Sequence, residues 1–215
     1  MKLTQEQRER LQKQFDFIVT IDREKEIGRQ TPIADGSRKE NDAEHAWHMA
    51  VMVMLLAEYA EEPIDPLRTI EMLLIHDLVE IYSGDTYAYD ESGKLSQRER
   101  EREAADRLYN ILPEDQARQL RSLWDEFEER QSPEARFART MDNLQPMMLN
   151  HVTNGISWVE HGVKLSQILQ RNERTAEGSG ILWDYAREQW LMPHVEQGQI
   201  IDDRAMQPQD QGSDQ

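Results

Sequence analysis

Met72-Leu-Leu-Ile-His-Asp-Leu-Val-Glu-Ile-Tyr82 is an apolar run of helical length, without turn residues, that carries an imidazole and a carboxylate side by side, His76 and Asp77. A helix that is apolar nearly all round is buried, and burying such a pair costs several kcal/mol unless something compensates. A metal ion supplies that compensation. Adjacent helical residues point roughly 100° apart, so both side chains can straddle one ion from the same turn. Glu80 follows within a turn of both and offers a spare carboxylate.

Residue type and expected burial bring in the remaining ligands. His45 and His48 stand one helical turn apart in a segment, Ala43 to Ala57, that begins polar and becomes strongly apolar. Either could face the ion. Asp142 lies among Phe137, Met141 and Leu144, which recur at three- and four-residue steps and place a carboxylate beside a core stripe. His45, His76, Asp77 and Asp142 make a set of two nitrogens and two oxygens for one divalent ion, drawn from manganese, cobalt, iron, nickel, zinc and magnesium. A coordination shell with room for water makes such an ion a potential catalyst.

Glu44-His45, then His76-Asp77 with Glu80 and Asp85, then Asp142, in this order on successive apolar helices, resembles the HD-domain metal-dependent phosphohydrolase superfamily. The spacing is similar to that of its small 5′-deoxynucleotidase branch, over about residues 10–150. The resemblance implies an all-α helical bundle with a mononuclear metal site in its core. It implies a hydrolase that releases phosphate from nucleoside 5′-monophosphates, deoxynucleotides among them, by attack of a water that the ion activates. Glu80 would position or deprotonate that water, and Asp85 would touch substrate or water at the mouth of the site. In the resembled branch an Arg-Trp pair upstream of the first histidine helps to select substrate. Here the counterpart is Arg29-Gln30, without the tryptophan. Arg29 and Arg38 are the candidate phosphate-binding cations, because a guanidinium recognises phosphate with paired donors. Binuclear members use further histidines between the HD pair and the last aspartate, and none occurs here between His76 and His151. The alternatives are hydrolysis of another phosphate ester, a nucleoside triphosphate or an alarmone, and a nonenzymatic metal-stabilised interaction module.

The chain has 215 residues, and its formal net charge of −17 argues against binding long nucleic acid, which requires a basic excess. A small phosphorylated substrate remains compatible, because an ion and a few arginines can make a local positive potential. The chain has no cysteine, hence no disulfide and no thiolate ligand. Its amino terminus is too polar for a signal peptide and no apolar run approaches the ~18 residues of a membrane span, so a soluble cytoplasmic protein is expected. Abundant apolar helical residues, with Trp158, Trp183 and Trp190, lead us to expect a homodimer.

Thr4 and Gln7 predict a capping box for a first helix that ends near Gly28, followed by a polar loop from Arg29 to Asp42. Helices are expected over Ala43–Tyr59, from Asp65-Pro66 through Tyr82, and over Gln97–Tyr109 behind a Ser96/Glu99 box. Pro113 opens another, with Leu120, Leu123, Trp124 and Phe127 on one face, and Ser132-Pro133 opens the helix of Asp142. Pro146 should kink or end that helix. Two amphipathic helices are expected over 156–171 and 181–195. We expect one domain over residues 1–200, with its metal-site core at about 28–150, and a disordered tail over 201–215. Trp47, Met49, Met52 and Met54 read as packing residues, and His48 as a structural neighbour of the site.

Overall fold

The computed structural model describes residues 2–84 and 91–204. The chain folds as a helical bundle, with the HD segment held near its centre by helices from both sides. Helix α1 (Gln5–Ile21) starts at the expected capping box: the Thr4 hydroxyl accepts from the Gln7 amide at 3.1 Å and the Gln7 side chain accepts from the Thr4 amide at 2.9 Å. A 3₁₀ turn at Asp22–Glu26 then closes it ahead of Gly28.

The stretch expected to be a polar loop is instead an antiparallel hairpin of β1 (Gly28–Pro32) and β2 (Lys39–Asn41), with Gly28 opposite Asn41 and Pro32 opposite Lys39. No alternating apolar pattern announces these strands. They pair because the Asp35 carboxylate accepts from the Ser37 amide at 2.9 Å, Gly36 adopts φ 71°, and the Ile33 amide closes on the Arg38 carbonyl at 2.9 Å. The hairpin delivers Asn41, which caps α2 (Asp42–Leu56) in a reciprocal box with Glu44.

Helix α3 (Pro66–Ile75), capped by Asp65, packs on α2. It does not run through Tyr82 as expected. Regular helix stops at His76 and resumes as α4 (Glu80–Ser83). Between them the amides of Leu78 and Glu80 bond three residues back, to the carbonyls of Ile75 (3.3 Å) and Asp77 (2.8 Å). Side chains from neighbouring helices serve the break: the Tyr109 hydroxyl donates to the Ile75 carbonyl at 3.4 Å and the Trp124 indole N–H donates to the His76 carbonyl at 3.2 Å. Both donors come from elements distant in sequence, α5 (Glu91–Tyr109) and α6 (Glu114–Glu129). Helix α5 is already formed at Glu91, ahead of the expected start at Gln97, so Ser96 lies within the helix rather than at its cap.

Ser132 caps α7 (Pro133–Val152), the helix of Asp142. Pro146 neither ends it nor stops it short of Val152, although the proline has no N–H to return to the Asp142 carbonyl. The expected C-terminal pair is divided more finely, into α8 (Ile156–Glu160), α9 (Leu165–Arg171), α10 (Gly180–Ala186) and α11 (Met192–Glu196). A π-helical turn, Arg187–Leu191, joins the last two. This segment is pinned to α7 at Gly178, where a Cβ would meet the Arg136 carbonyl oxygen at 2.4 Å, and by the Thr140 hydroxyl, which donates to the Thr175 carbonyl at 2.8 Å. Met49, Val53, Met72, Leu73, Leu108, Phe127, Phe137, Met141 and Leu144 form the buried core beneath the site. Trp158 is buried and Trp183 and Trp190 pack against that core, whereas the exposed apolar residues include Phe15, Ile18 and Val19 of α1 and Trp47, Met54 and Leu55 of α2. Among the described residues no helix is long and apolar enough to cross a membrane.

Candidate metal centre

Three of the four expected ligands converge. His45 from α2, His76 from the break after α3, and Asp142 from α7 each offer one ligand atom, all within 4.8 Å of one another, and all three residues are buried. His45 Nε2 lies 3.2 Å from Asp142 Oδ1, and His76 Nε2 lies 3.9 Å from the same oxygen. Asp77 stands at the edge of this group, with Oδ2 3.0 Å from His76 Nε2 and 2.9 Å from Arg29 Nη1.

The hydrogen bonds behind the imidazoles decide their chemistry. His76 Nδ1 lies 2.9 Å from the Leu73 carbonyl, which can only accept, so Nδ1 carries a hydrogen and Nε2 is the nitrogen left to face the carboxylates. His45 Nδ1 lies 2.8 Å from Gln145 Oε1, and the Gln145 amide nitrogen donates to Glu40 Oε2 at 2.8 Å, fixing the amide so that its oxygen accepts from His45. His48, half-buried, approaches the same amide nitrogen with its Nδ1 at 3.2 Å, as a supporting neighbour rather than a member of the group. Two Nε2 lone pairs facing carboxylate oxygens repel unless a cation stands between them. This donor set fits a divalent ion.

The charges agree. Burial and the Arg29 charge hold the His45 imidazole down at about 4, so it is neutral, as a metal ligand must be. Burial lowers His76 too, but the Asp77 carboxylate outweighs it and holds the imidazole up at about 9, so without an ion a proton occupies Nε2, the place a metal ion would take by displacing it. Asp142 and Asp77 remain ionised despite burial: the Arg139 and Arg171 charges hold Asp142 far below the usual carboxylate range, and His76 and Arg29 lower Asp77. Behind Asp77, Glu24 is pushed up to about 7 by burial and by the Asp77 charge.

His76, Asp77 and Asp142 line a cavity of about 980 Å³, and Arg29 and Glu80, the first residue of α4, line it too. Asp85 lies outside the described residues. The two expected phosphate-binding arginines part company. Arg29 lines the cavity but is almost buried, and its Nη1 donates to Asp77 and Asp42 at 2.9 and 3.1 Å, so it holds Asp77 in place. Arg38 is exposed, pairs with both oxygens of Glu44 at 2.6 and 2.7 Å, and is not among the cavity residues. Its charge is already neutralised where it stands, which explains why the structure does not bring it to the cavity.

Sequence reading passed over Gln145 and Arg139, although both lie three residues from Asp142 on one helix and so share its face. Arg139 donates to Asp142 Oδ2 at 3.0 Å and to Glu128 at 2.9 Å. Arg130, Arg171 and Arg174 also line the cavity, and no motif points to them.

The HD domain family matches residues 21–183. A solved structure described as a predicted metal-dependent phosphohydrolase, from Magnetospirillum magnetotacticum MS-1, is 46% identical and superposes with a TM-score of 0.84, covering 89% of this chain and 96% of that one. The human and mouse proteins named 5′-deoxynucleotidase HDDC2 are each 32% identical over 111 residues, 52% of this chain and 53% and 54% of theirs. This chain thus spans about half the length of the curated relatives it matches. With the family match running from the end of α1 to α10 and enclosing every residue of the metal group, the chain belongs to the HD domain family.

Proposed function

We propose that this chain is a metal-dependent phosphohydrolase that releases phosphate from nucleoside 5′-monophosphates, deoxynucleotides among them. One observation carries the reading: of a buried group of two imidazoles and a carboxylate, His76 and Asp142 line a cavity whose lining also holds Glu80 and several guanidiniums. His45, His76 and Asp142 are the ligands, Asp77 completes the set, and among the described residues there is one such group, in keeping with a single ion. A divalent ion held there polarises a phosphoryl oxygen and lowers the pKa of a nearby water.

The protein's residues supply the rest. Glu80 accepts one proton of the attacking water as the water oxygen bonds to phosphorus and the bond from phosphorus to the 5′ oxygen breaks; the departing 5′ oxygen takes up a proton from solvent, to which Glu80 returns the one it accepted. Arg29 holds Asp77 in place and keeps it ionised. Arg139 does the same for Asp142. Asp85 is the candidate for touching substrate at the mouth. Support for the substrate class comes from the relatives named 5′-deoxynucleotidase.

The test measures phosphate release from ribo- and deoxynucleoside mono- and triphosphates with manganese, cobalt, magnesium and zinc supplied separately, alongside metal analysis of Asp142→Asn. Release from 5′-monophosphates in at least one metal, with metal content sharply reduced in the variant, is the expected result. Metal-loaded protein that releases no phosphate from any of these substrates sinks the proposal.

A further inference from the structure

The lining of the cavity carries further cations, Arg130, Arg171 and Arg174, that make no hydrogen bond to the metal group. Arg130 ends α6 in the left-handed conformation, φ 56° and ψ 36°, a strained choice for a residue with a Cβ. Its side chain is half-buried in the cavity lining, and it makes no hydrogen bond or ion pair with any described residue. Burial and the Arg139 charge, with a further push from Arg174, outweigh the pull of Glu128 and Asp142 and bring its guanidinium down to about 10. Arg171 lines the same cavity. Its Nη2 is 3.9 Å from Asp142 Oδ2, close enough to help hold that carboxylate ionised but beyond hydrogen-bond reach, so its donors stay available to a ligand. Arg174 completes the wall but is already paired with Glu177. Of the acids on this wall, Glu128 is bonded to Arg139, while Glu129 and Glu173 are exposed. A half-buried guanidinium whose donors meet only solvent is open to an incoming anion, which it can bind with charge-assisted hydrogen bonds. The cavity of about 980 Å³ also stands at the upper end of the roughly 300–1,000 Å³ usual for small-molecule sites, leaving room beyond the metal group.

We propose that this wall, Arg130 with Arg171, is a second anion subsite, and that the preferred substrate is a nucleotide bearing a second phosphate besides the one released. This deepens the phosphohydrolase reading and rests on it. The metal group takes the scissile phosphate and the Arg130 wall takes the other. The attachment of the second phosphate, to the sugar or to the first phosphate, is what the arms of the test separate.

The full chain with its divalent ion is titrated calorimetrically with a deoxynucleoside 5′-monophosphate, the matching 3′,5′-bisphosphate and the matching 5′-diphosphate. At least one doubly phosphorylated form is expected to bind on the order of tenfold or more tighter than the monophosphate. Arg130→Asn is expected to erase that advantage, and asparagine accepts the left-handed backbone without added strain. Arg171→Gln, the second variant, should reduce it severalfold. Equal binding of all three nucleotides, or an advantage that survives both substitutions, overturns the subsite. Tighter chelation of the ion by a diphosphate would survive them and so counts against it. If the advantage depends on Arg130 but no nucleotide releases phosphate with any metal, the subsite stands and the phosphohydrolase reading fails. Release from the monophosphate with no Arg130-dependent advantage is the reverse result.

Discussion

The chain from Leu73 to Glu80 reads as one continuous helix and is broken in the structure, whereas α7 carries a proline four residues after Asp142 and continues to Val152. Both segments deliver ligands to the same group. In the first, the Tyr109 hydroxyl and the Trp124 indole N–H take the carbonyls that helix would have used, so breaking the ladder leaves those oxygens satisfied and frees His76 and Asp77 to turn inward. In the second, α7 packs against α2, α3 and α6, and that burial outweighs one missing hydrogen bond. Helix continuity here depends on which distant groups meet the backbone. Local preference is overruled in both directions.

The comparison can be broken at its catalytic consequence first. The break places Glu80 at the start of α4 on the cavity wall. Glu80→Gln should retain the ion and lower kcat by about 10²- to 10⁴-fold. Turnover close to wild type with full metal content would remove Glu80 from the proton transfer.

On the α7 side, Gln145→Leu removes the oxygen that accepts from His45 Nδ1 and so frees the ring to adopt the wrong tautomer. Metal affinity, measured by competition with a chelator, should fall about 10- to 100-fold. Unchanged affinity would mean that the buried packing alone orients His45.

Trp124→Phe keeps an aromatic ring but deletes the donor to the His76 carbonyl. Denaturant unfolding should show a loss of about 1–3 kcal/mol, the cost of a buried carbonyl left unmatched. No loss would show that another group holds the break open.

Behind the break, Glu24 is raised from 4.5 to about 7 by burial and the Asp77 charge. The stability this raised acid contributes is full below about pH 4.5 and is lost as pH rises through about 7. With a chelator present, Glu24→Gln should match wild type near pH 4 and exceed it at pH 8, by on the order of 1 kcal/mol once the solvent reaching the group is allowed for. A gap that does not grow between those pH values would contradict the assignment.

The smallest effect is expected at Arg38, whose pairing with Glu44 is exposed. Arg38→Ala should cost about 0–1 kcal/mol of stability. The same variant should leave kcat/KM within about twofold, since a screened surface pair away from the cavity contributes little to binding. A tenfold fall in kcat/KM would instead return Arg38 to the phosphate-binding role that its position in sequence suggested.

The sequence alone determined the helical class, the caps at Thr4, Asp65 and Ser132, and three residues that the fold gathers into one buried group, His45, His76 and Asp142. These depend on short-range physics: capping is settled within four residues, and an imidazole or carboxylate inside an apolar run declares an uncompensated burial cost wherever the run packs. Gln145 and Arg139 were within reach of the same reasoning, since their three-residue spacing from Asp142 puts them on its face. Tertiary structure alone decided the rest. The β1–β2 hairpin has no alternating pattern, the break at His76 requires donors from Tyr109 and Trp124, and Arg38 is captured by Glu44 while Arg130 and Arg171 reach the cavity. Each of these outcomes depends on groups far apart in the chain meeting in the fold, and a charged side chain takes its role from the counter-charges that folding places around it.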